Sequence, residues 1–197
     1  MKVQLEKTFP IPASAQVTWD LLRDVEGVAG CMPGARITER IDDQHYRGTV
    51  AVKFGPASMA FRGDVEVRDF DPLSRTLRLF GKGADSTGSS GASMDLTARV
   101  QATDAVSCNL VGVSEVSISG KAATFGARMM SAVADQVLNQ FAANFATRVQ
   151  ALQAQQPQAD PAAEPAPDPA KAELNGLALL WAVVSGWLRN LFRAKKA

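Results

Sequence analysis

Residues 122–152 read AATFGARMMSAVADQVLNQFAANFATRVQAL, a stretch with no proline and a single glycine, Gly126. Apolar residues recur in it every three or four positions, which places them along one face of an α-helix. They are Phe125, Met129, Met130, Val133, Val137, Leu138, Phe141, Phe145 and Val149. The stretch therefore predicts one helix about 45 Å long, at 1.5 Å per residue.

Upstream of this helix, short runs alternate between apolar and polar residues and are separated by turn residues. Close spacing of such runs is typical of an antiparallel meander. Strands are predicted at residues 3–9, 35–41, 45–54, 59–70, 76–83, 91–104 and 106–119, with Pro10 and Pro12 ending the first. Two short helices, over 13–24 and 25–32, are predicted after the first strand, with Ser14 as the N-cap. The pattern predicts an α+β fold in which a curved antiparallel sheet of about seven strands wraps around the long C-terminal helix.

The composition of the 197-residue chain excludes several functional classes. A net charge of +1 argues against nucleic-acid binding, which needs clustered Lys and Arg to neutralise phosphates. Two cysteines and one histidine are too few for a zinc site built from those residues, and they make a disulfide scaffold unsuitable. The first residues lack the apolar segment of a secretory signal, so a cytoplasmic location is expected.

Charge divides the chain into three segments. Residues 1–152 form a body in which 16 Lys and Arg balance 16 Asp and Glu. Residues 153–173 hold five of the ten prolines, seven alanines and a net charge of −3. Such a segment has nothing to bury and is predicted to be a disordered linker, reaching about 65 Å when extended. Residues 174–197 carry a net charge of +4 and form the predicted tail.

The tail combines an uncharged run, Leu174–Leu188, with basic residues after it. On a helical wheel its apolar residues share one side, and tryptophan and Lys/Arg favour the surface of an anionic membrane. We expect membrane contact through Leu177, Leu180, Trp181, Val184, Trp187, Leu188, Arg189, Phe192, Arg193, Lys195 and Lys196. The run is shorter than the ~20 residues of a spanning helix, so in-plane insertion and a tail-anchored span both stay open. Docking on the body or on a partner protein is the alternative.

Residues suited to catalysis are scarce. His45 lies at a predicted turn beside Asp42 and Asp43, where a solvated histidine is expected. Cys31, adjacent to Met32-Pro33, and Cys108, in a predicted strand, are interpreted as small buried hydrophobes rather than nucleophiles. The glycine-rich run over 81–91 lacks the Gly-Lys-Ser/Thr of a phosphate loop and is interpreted as a flexible hairpin or a gate. No catalytic residue and no metal ligand are predicted.

Four strings in the body carry a family resemblance. They are Cys31-Met32-Pro33-Gly34-Ala35, residues 48–56 (GTVAVKFGP), Phe61-Arg62-Gly63 and residues 120–126 (GKAATFG). In this order they resemble the carbon monoxide dehydrogenase G-subunit family of the START-like, or Bet v 1-like (SRPBCC), superfamily. The resemblance covers residues 1 to about 150 and implies the helix-grip fold. That family often has an aromatic residue near Gly112, and a missing ring there would widen the interior or change which ligand it accepts.

The resemblance implies a non-catalytic accessory protein that recruits a molybdenum-containing hydroxylase, of the carbon monoxide dehydrogenase type, to the membrane. The location implied is the cytoplasmic face of the bacterial inner membrane. A helix-grip fold also implies a cavity for an apolar small molecule between sheet and helix. Because a dehydrogenase that feeds a respiratory chain passes electrons to quinone, we expect a bound quinone or isoprenoid lipid and no covalent cofactor.

Strand alternation and helix spacing supply the residues expected to line that cavity. Small residues would leave volume inside, and methionines adapt to irregular apolar ligands. The predicted lining is Phe61, Gly63, Val65, Met94, Leu96, Ala98, Leu110, Gly112, Ser114, Phe125, Met129, Met130, Val133 and Val137. The same residues also suit a packed core, which would leave a pure membrane-tethering adaptor. A cyclase or hydrolase is the third hypothesis, with Ser114 and Asp69 as its weak polar candidates.

Overall fold

The computed structural model describes residues 1–54 and 57–155. These residues form one seven-stranded antiparallel sheet, whose strands lie in the order β1-β7-β6-β5-β4-β3-β2. The strands are β1 (Lys2–Ile11), β2 (Ala35–Arg40), β3 (His45–Phe54), β4 (Ala57–Asp71), β5 (Thr76–Asp85), β6 (Ser90–Ala102) and β7 (Cys108–Gly120). The helices are α1 (Ala15–Leu22), α2 (Val25–Cys31) and α3 (Gly126–Gln155), with a 3-10 turn at Lys121–Phe125 before α3. The predicted helix-grip architecture is confirmed.

Most boundaries differ from the sequence prediction by a few residues, and those of β1 and α3 are the most informative. Pro10 does not end the first strand, because β1 continues through it to Ile11, which pairs with Cys108. An edge strand tolerates proline, since one side of its backbone has no neighbour to bond. Helix α3 extends to Gln155, three residues beyond its predicted end. Most of the predicted linker and the whole predicted tail lie outside the described residues.

A row of glycines crosses the middle of the sheet. Gly48 pairs with Gly63 on the neighbouring strand, and Gly63 pairs with Gly83 on the next. A Cβ atom at Gly63 would lie only 2.0 Å from the carbonyl oxygen of Lys82, so no larger residue fits there. Glycine rows of this kind allow a sheet to bend sharply. The bend gives the concave face that receives α3.

A β-bulge changes the phase of β4 near its end. The register with β5 shifts between Val67 and Asp69, so the strict alternation predicted over 59–70 stops there. After the bulge, the ring of Phe70 lies 4.9 Å from that of Trp19 in α1. Asp69 is exposed and accepts a hydrogen bond from the Phe70 amide. The interpretation of Asp69 as an inward polar candidate is therefore wrong.

The C-terminal half of α3 is fixed firmly to the α1–α2 end of the sheet. Phe145 and Val149 are completely buried in the main core, to which Trp19 also belongs. The Asn144 amide donates to the Cys31 carbonyl at 3.0 Å, and Gln153 accepts from a backbone amide at the start of α1 at 2.7 Å. Both apolar burial and directional bonds therefore hold this half of the helix.

The predicted N-cap of the first helix is confirmed. The Ser14 hydroxyl accepts from the amide of Val17 at 3.3 Å, and Asp24 caps α2 in the same way through Gly27 at 2.9 Å. Side-chain oxygens at these positions satisfy amides that the first helical turn leaves without partners. Two tight caps allow the chain to turn twice between β1 and β2.

Candidate functional site

The apolar core of the described residues is divided into two clusters. The larger cluster surrounds Phe145 and Val149 at the α1–α2 end. The smaller cluster surrounds Ala122 and Met130 at the start of α3, and it includes Phe61 from β4. Helix α3 therefore touches a packed core near both of its ends.

Between the clusters, apolar side chains face inward without joining either core. Those from the sheet are Leu5, Met94, Leu96 and Val116, and those from α3 are Val137 and Leu138. All six are only half-buried, so solvent reaches apolar side chains that face the interior. A close-packed core would bury them almost completely. We call the space that these six residues border the sheet–helix gap.

The predicted cavity lining is distributed over three environments. Ala98 and Leu110 are buried in the larger cluster and Val65 packs against it, whereas Met130 is buried in the smaller one. Phe61, Phe125, Met129 and Val133 pack against that smaller cluster. The residues that belong to neither cluster are Gly63, Met94, Leu96, Gly112, Ser114 and Val137. Contact of these six residues with a ligand stays a prediction.

One ion pair borders the gap at the β1–α3 edge. The Lys7 ammonium lies 2.9 Å from a carboxylate oxygen of Asp135, and their side chains are 38% and 50% exposed. Among the described residues it is the one ion pair that joins α3 to the sheet. Lys7 pairs with Gly112 on β7, where no side chain fills the inner face. The apolar gap therefore has a polar rim.

Ser114 is the second polar group on the inner face near this rim. It pairs with Leu5, so strand alternation directs both side chains toward α3. Within residues 1–54 and 57–155, no group hydrogen-bonds its half-buried hydroxyl. The sequence pattern predicted Ser114 as a lining residue, but it did not indicate Lys7 or Asp135. The signal for Lys7 was its place between Leu5 and Phe9 in an alternating strand.

The outer face of the sheet is charged. Arg68 pairs with Asp95 at 3.3 Å and lies over the Phe80 ring, while Arg47 bonds Glu39 at 2.7 Å. A concavity of about 320 Å³ is lined by Asp95, Thr97, Val113 and Glu115 of this face, and it also touches Ser114, which strand alternation places on the inner face. A second, of about 450 Å³, is lined by Met1, Lys2, Gly83, Gly91, Ala92, Ser93, Ser117, Ile118 and Ser119. Only Ser114 among the predicted cavity residues touches either one.

The two thiols are buried and weakly acidic. Burial raises the pKa of Cys31, against the lowering effect of the Arg148 guanidinium nearby. Burial also raises the pKa of Cys108, whose Sγ donates to the Thr18 hydroxyl at 3.2 Å. A nucleophilic cysteine needs the opposite, a lowered pKa and access to solvent. Their interpretation as packing residues agrees with this environment.

Other polar side chains form hydrogen bonds within turns. His45 is exposed, with Nδ1 2.9 Å from the Asp42 carboxylate. The glycine-rich run forms the end of β5, a turn and the start of β6, and the Asp85 carboxylate accepts from the hydroxyls of Thr87 and Ser89 in that turn. The predicted hairpin is therefore confirmed, while its flexibility and a role as a gate stay predictions. Within the described part of the chain, no three metal-ligating side chains converge. No helix there is long and apolar enough to cross a bilayer.

Comparison with solved structures supports the fold. A conserved protein from Geobacillus kaustophilus superposes with a TM-score of 0.68 at 17% identity, covering 76% of this chain and 96% of that one. The Zhui aromatase/cyclase from Streptomyces sp. R1128 gives 0.57 at 17% identity, with 76% and 94% covered. A START superfamily protein from Mycobacterium smegmatis gives 0.53 at 18% identity, with 76% and 98% covered. These likenesses establish the START-like fold.

Sequence comparison identifies the family. Comparison with curated proteins gives no match. The family model for the G subunit of carbon monoxide dehydrogenase (CoxG) matches residues 8–150, which include the end of β1, the other six strands and most of α3. The predicted resemblance is therefore confirmed, and the chain belongs to the CoxG family.

Proposed function

We propose that this protein binds an apolar lipid, a respiratory quinone or a related isoprenoid, in the sheet–helix gap. The observation that supports this most is the divided core. Solvent reaches six inward apolar side chains between two packed clusters, and an apolar ligand there would remove that surface from water. Met94 and the aliphatic residues around it suit an irregular, flexible ligand.

The second part of the proposal is recruitment. The family name connects this chain with carbon monoxide dehydrogenase, a molybdenum-containing hydroxylase in our hypothesis. The tail, residues 174–197, has the apolar run, tryptophans and basic end that favour a membrane surface. The protein would hold the enzyme at the cytoplasmic face of the inner membrane and present it with quinone.

We propose that the protein is not itself an enzyme. Norcoclaurine synthase and aromatase/cyclases share the fold, but at such low identity the likeness extends to the fold alone. General acid–base chemistry needs groups with displaced pKa values directed at a substrate. At the rim of the gap, Lys7 and Asp135 form an ion pair, so each charge is balanced by the other.

Ligand binding is tested on the full-length protein purified from a bacterial host that makes quinone. Organic extracts are analysed by mass spectrometry, before and after incubation with decylubiquinone. A quinone or isoprenoid present at about one per chain is the expected result. An extract that stays empty after incubation would leave the tethering adaptor with a packed core as the better account.

Membrane recruitment is tested separately by vesicle flotation with anionic lipid. Trp187→Glu in the full-length chain should abolish flotation, because it places a charge within the apolar side of the tail. The matched control is Leu73→Glu, at a 95% exposed position of the body, which should float normally. Flotation of both variants would contradict tail-mediated binding. In host cells that make the wild-type protein, carbon monoxide dehydrogenase should be recovered in the membrane fraction.

A further inference from the structure

We propose that Lys7 and Ser114 bind the polar end of the ligand at the β1–α3 edge, and that this end is an uncharged hydrogen-bond acceptor. A carbonyl oxygen, as found in a quinone or an ester, has that chemistry. The inference rests on the proposed binding of an apolar ligand in the sheet–helix gap. It adds where the ligand's polar end lies and which headgroups are rejected.

The position of Lys7 suits this role. On the inner face of β1 it follows Leu5, which borders the gap, and precedes Phe9, which packs against the larger cluster. Its strand partner Gly112 has no side chain, and a Cβ there would find its nearest neighbour, Leu96, at 3.9 Å. The inner surface beside the Lys7 side chain is therefore free to accept another group.

The Lys7 ammonium also has N–H donors that its ion pair does not use. An ammonium group carries three N–H donors, and in the described residues the one partner of this ammonium is the Asp135 carboxylate, in an ion pair. The Ser114 hydroxyl, two positions along β7 from Gly112 and on the same face, is a further free donor. An acceptor oxygen at this edge could bond both groups while the apolar part of the ligand lies along Met94, Leu96 and Val137.

The charge of the rim determines which headgroup fits. Because Asp135 lies 2.9 Å from the ammonium, the pair is electrically neutral as a unit. A carboxylate headgroup would gain attraction from Lys7 and suffer repulsion from Asp135 at nearly the same distance. A neutral carbonyl accepts the same hydrogen bonds without that repulsion. Removing the charge of Asp135 should therefore change the preference from neutral to anionic ligands.

The test compares methyl oleate, which is neutral, with oleate, which is anionic, for binding to the delipidated full-length protein. Wild-type protein should prefer methyl oleate. Lys7→Met should weaken methyl oleate binding roughly three- to tenfold, the loss of about one hydrogen bond. The matched control is Lys2→Met. Lys2 lies on the outer face of β1, the strand that also contains Lys7, and it forms a similar 2.7 Å ion pair with Glu115 of β7. Breaking that pair should leave binding unchanged.

Asp135→Asn supplies the second readout. It should raise oleate affinity several-fold and leave methyl oleate affinity nearly unchanged, which a purely structural role of the ion pair would not produce. Equal binding of methyl oleate by wild type and Lys7→Met, or an unchanged oleate affinity in Asp135→Asn, would overturn this inference alone. If wild-type protein binds neither lipid and no quinone, the proposed ligand-binding function fails with it.

Discussion

Replacing Gly112 by phenylalanine measures directly whether the space between sheet and helix is open. Gly112 lies on the inner face of β7, and the nearest atom to a Cβ at this position is a methyl group of Leu96 at 3.9 Å. That is an ordinary van der Waals separation, so the backbone accepts a side chain there. The family resemblance also places an aromatic residue near this position.

The expected free-energy change follows from the area that the new ring would bury. A fully buried phenylalanine removes about 150–250 Å² from water. Half of that, about 100 Å² at ~25 cal/mol/Å², stabilises the fold by roughly 2.5 kcal/mol, from which side-chain ordering subtracts about 1 kcal/mol. In a core that is already full, the same substitution costs about 1–3 kcal/mol. Open and packed interiors therefore predict opposite signs.

The assay is urea unfolding of the full-length chain, followed by far-ultraviolet circular dichroism, together with decylubiquinone binding. Gly112→Phe should raise the free energy of unfolding by about 1–2 kcal/mol and reduce quinone binding, because the ring occupies the ligand's space. Val113→Phe is the matched control: Val113 is 49% exposed on the outer face, so stability should change by less than about 0.5 kcal/mol. Destabilisation by Gly112→Phe alone would refute an open gap.

Three further predictions concern stability. Gly63→Ala should destabilise the fold severely and lower the urea midpoint, because the new Cβ atom would lie 2.0 Å from a carbonyl oxygen of β5. Gly81→Ala should leave the urea midpoint nearly unchanged, because the nearest atom to its Cβ would be 3.9 Å away. Phe145→Ala should cost about 3–5 kcal/mol in urea unfolding, as expected for a fully buried ring. The Ser74 hydroxyl and nearby amides hold the pKa of Asp71 below its usual value. The ionised Asp71 carboxylate therefore stabilises the fold above about pH 4, and this stabilisation is lost as the pH falls through the lowered pKa. The free energy of unfolding of Asp71→Asn should depend less on pH in that range.

The fold could be predicted because its signals are local and repeated. Alternation within each strand sets two faces, and the helical spacing over 122–152 supplies the element that covers one of them. The deviations came from context that a single strand does not contain. Pro10 is tolerated only because β1 lies at the sheet edge, and Phe70 faces inward only because a bulge precedes it.

The site was harder to predict because a gap and a core have the same sequence pattern. Ala98 and Met94 alternate inward on the same strand, yet the first is buried in a cluster and the second borders the gap. The difference depends on which part of α3 lies opposite each residue, which is a tertiary property. The role of Lys7 at the rim could not be predicted for a related reason. Its partner Asp135 is 128 positions away in the chain and meets it only when α3 lies along β1.

The divided core gives the two halves of helix α3 different attachments to the sheet. From Phe141 onward, α3 is held by buried rings and by the Asn144 and Gln153 hydrogen bonds. Its first half begins at Gly126, which has a positive φ of 79°, and meets the sheet through a small cluster and one half-exposed ion pair. Local opening of that half would expose little buried surface, whereas opening the other half would disrupt the main core. If a ligand binds in the gap as proposed, its entry at the β1–α3 edge would cost little free energy, while the α1–α2 end keeps the fold intact.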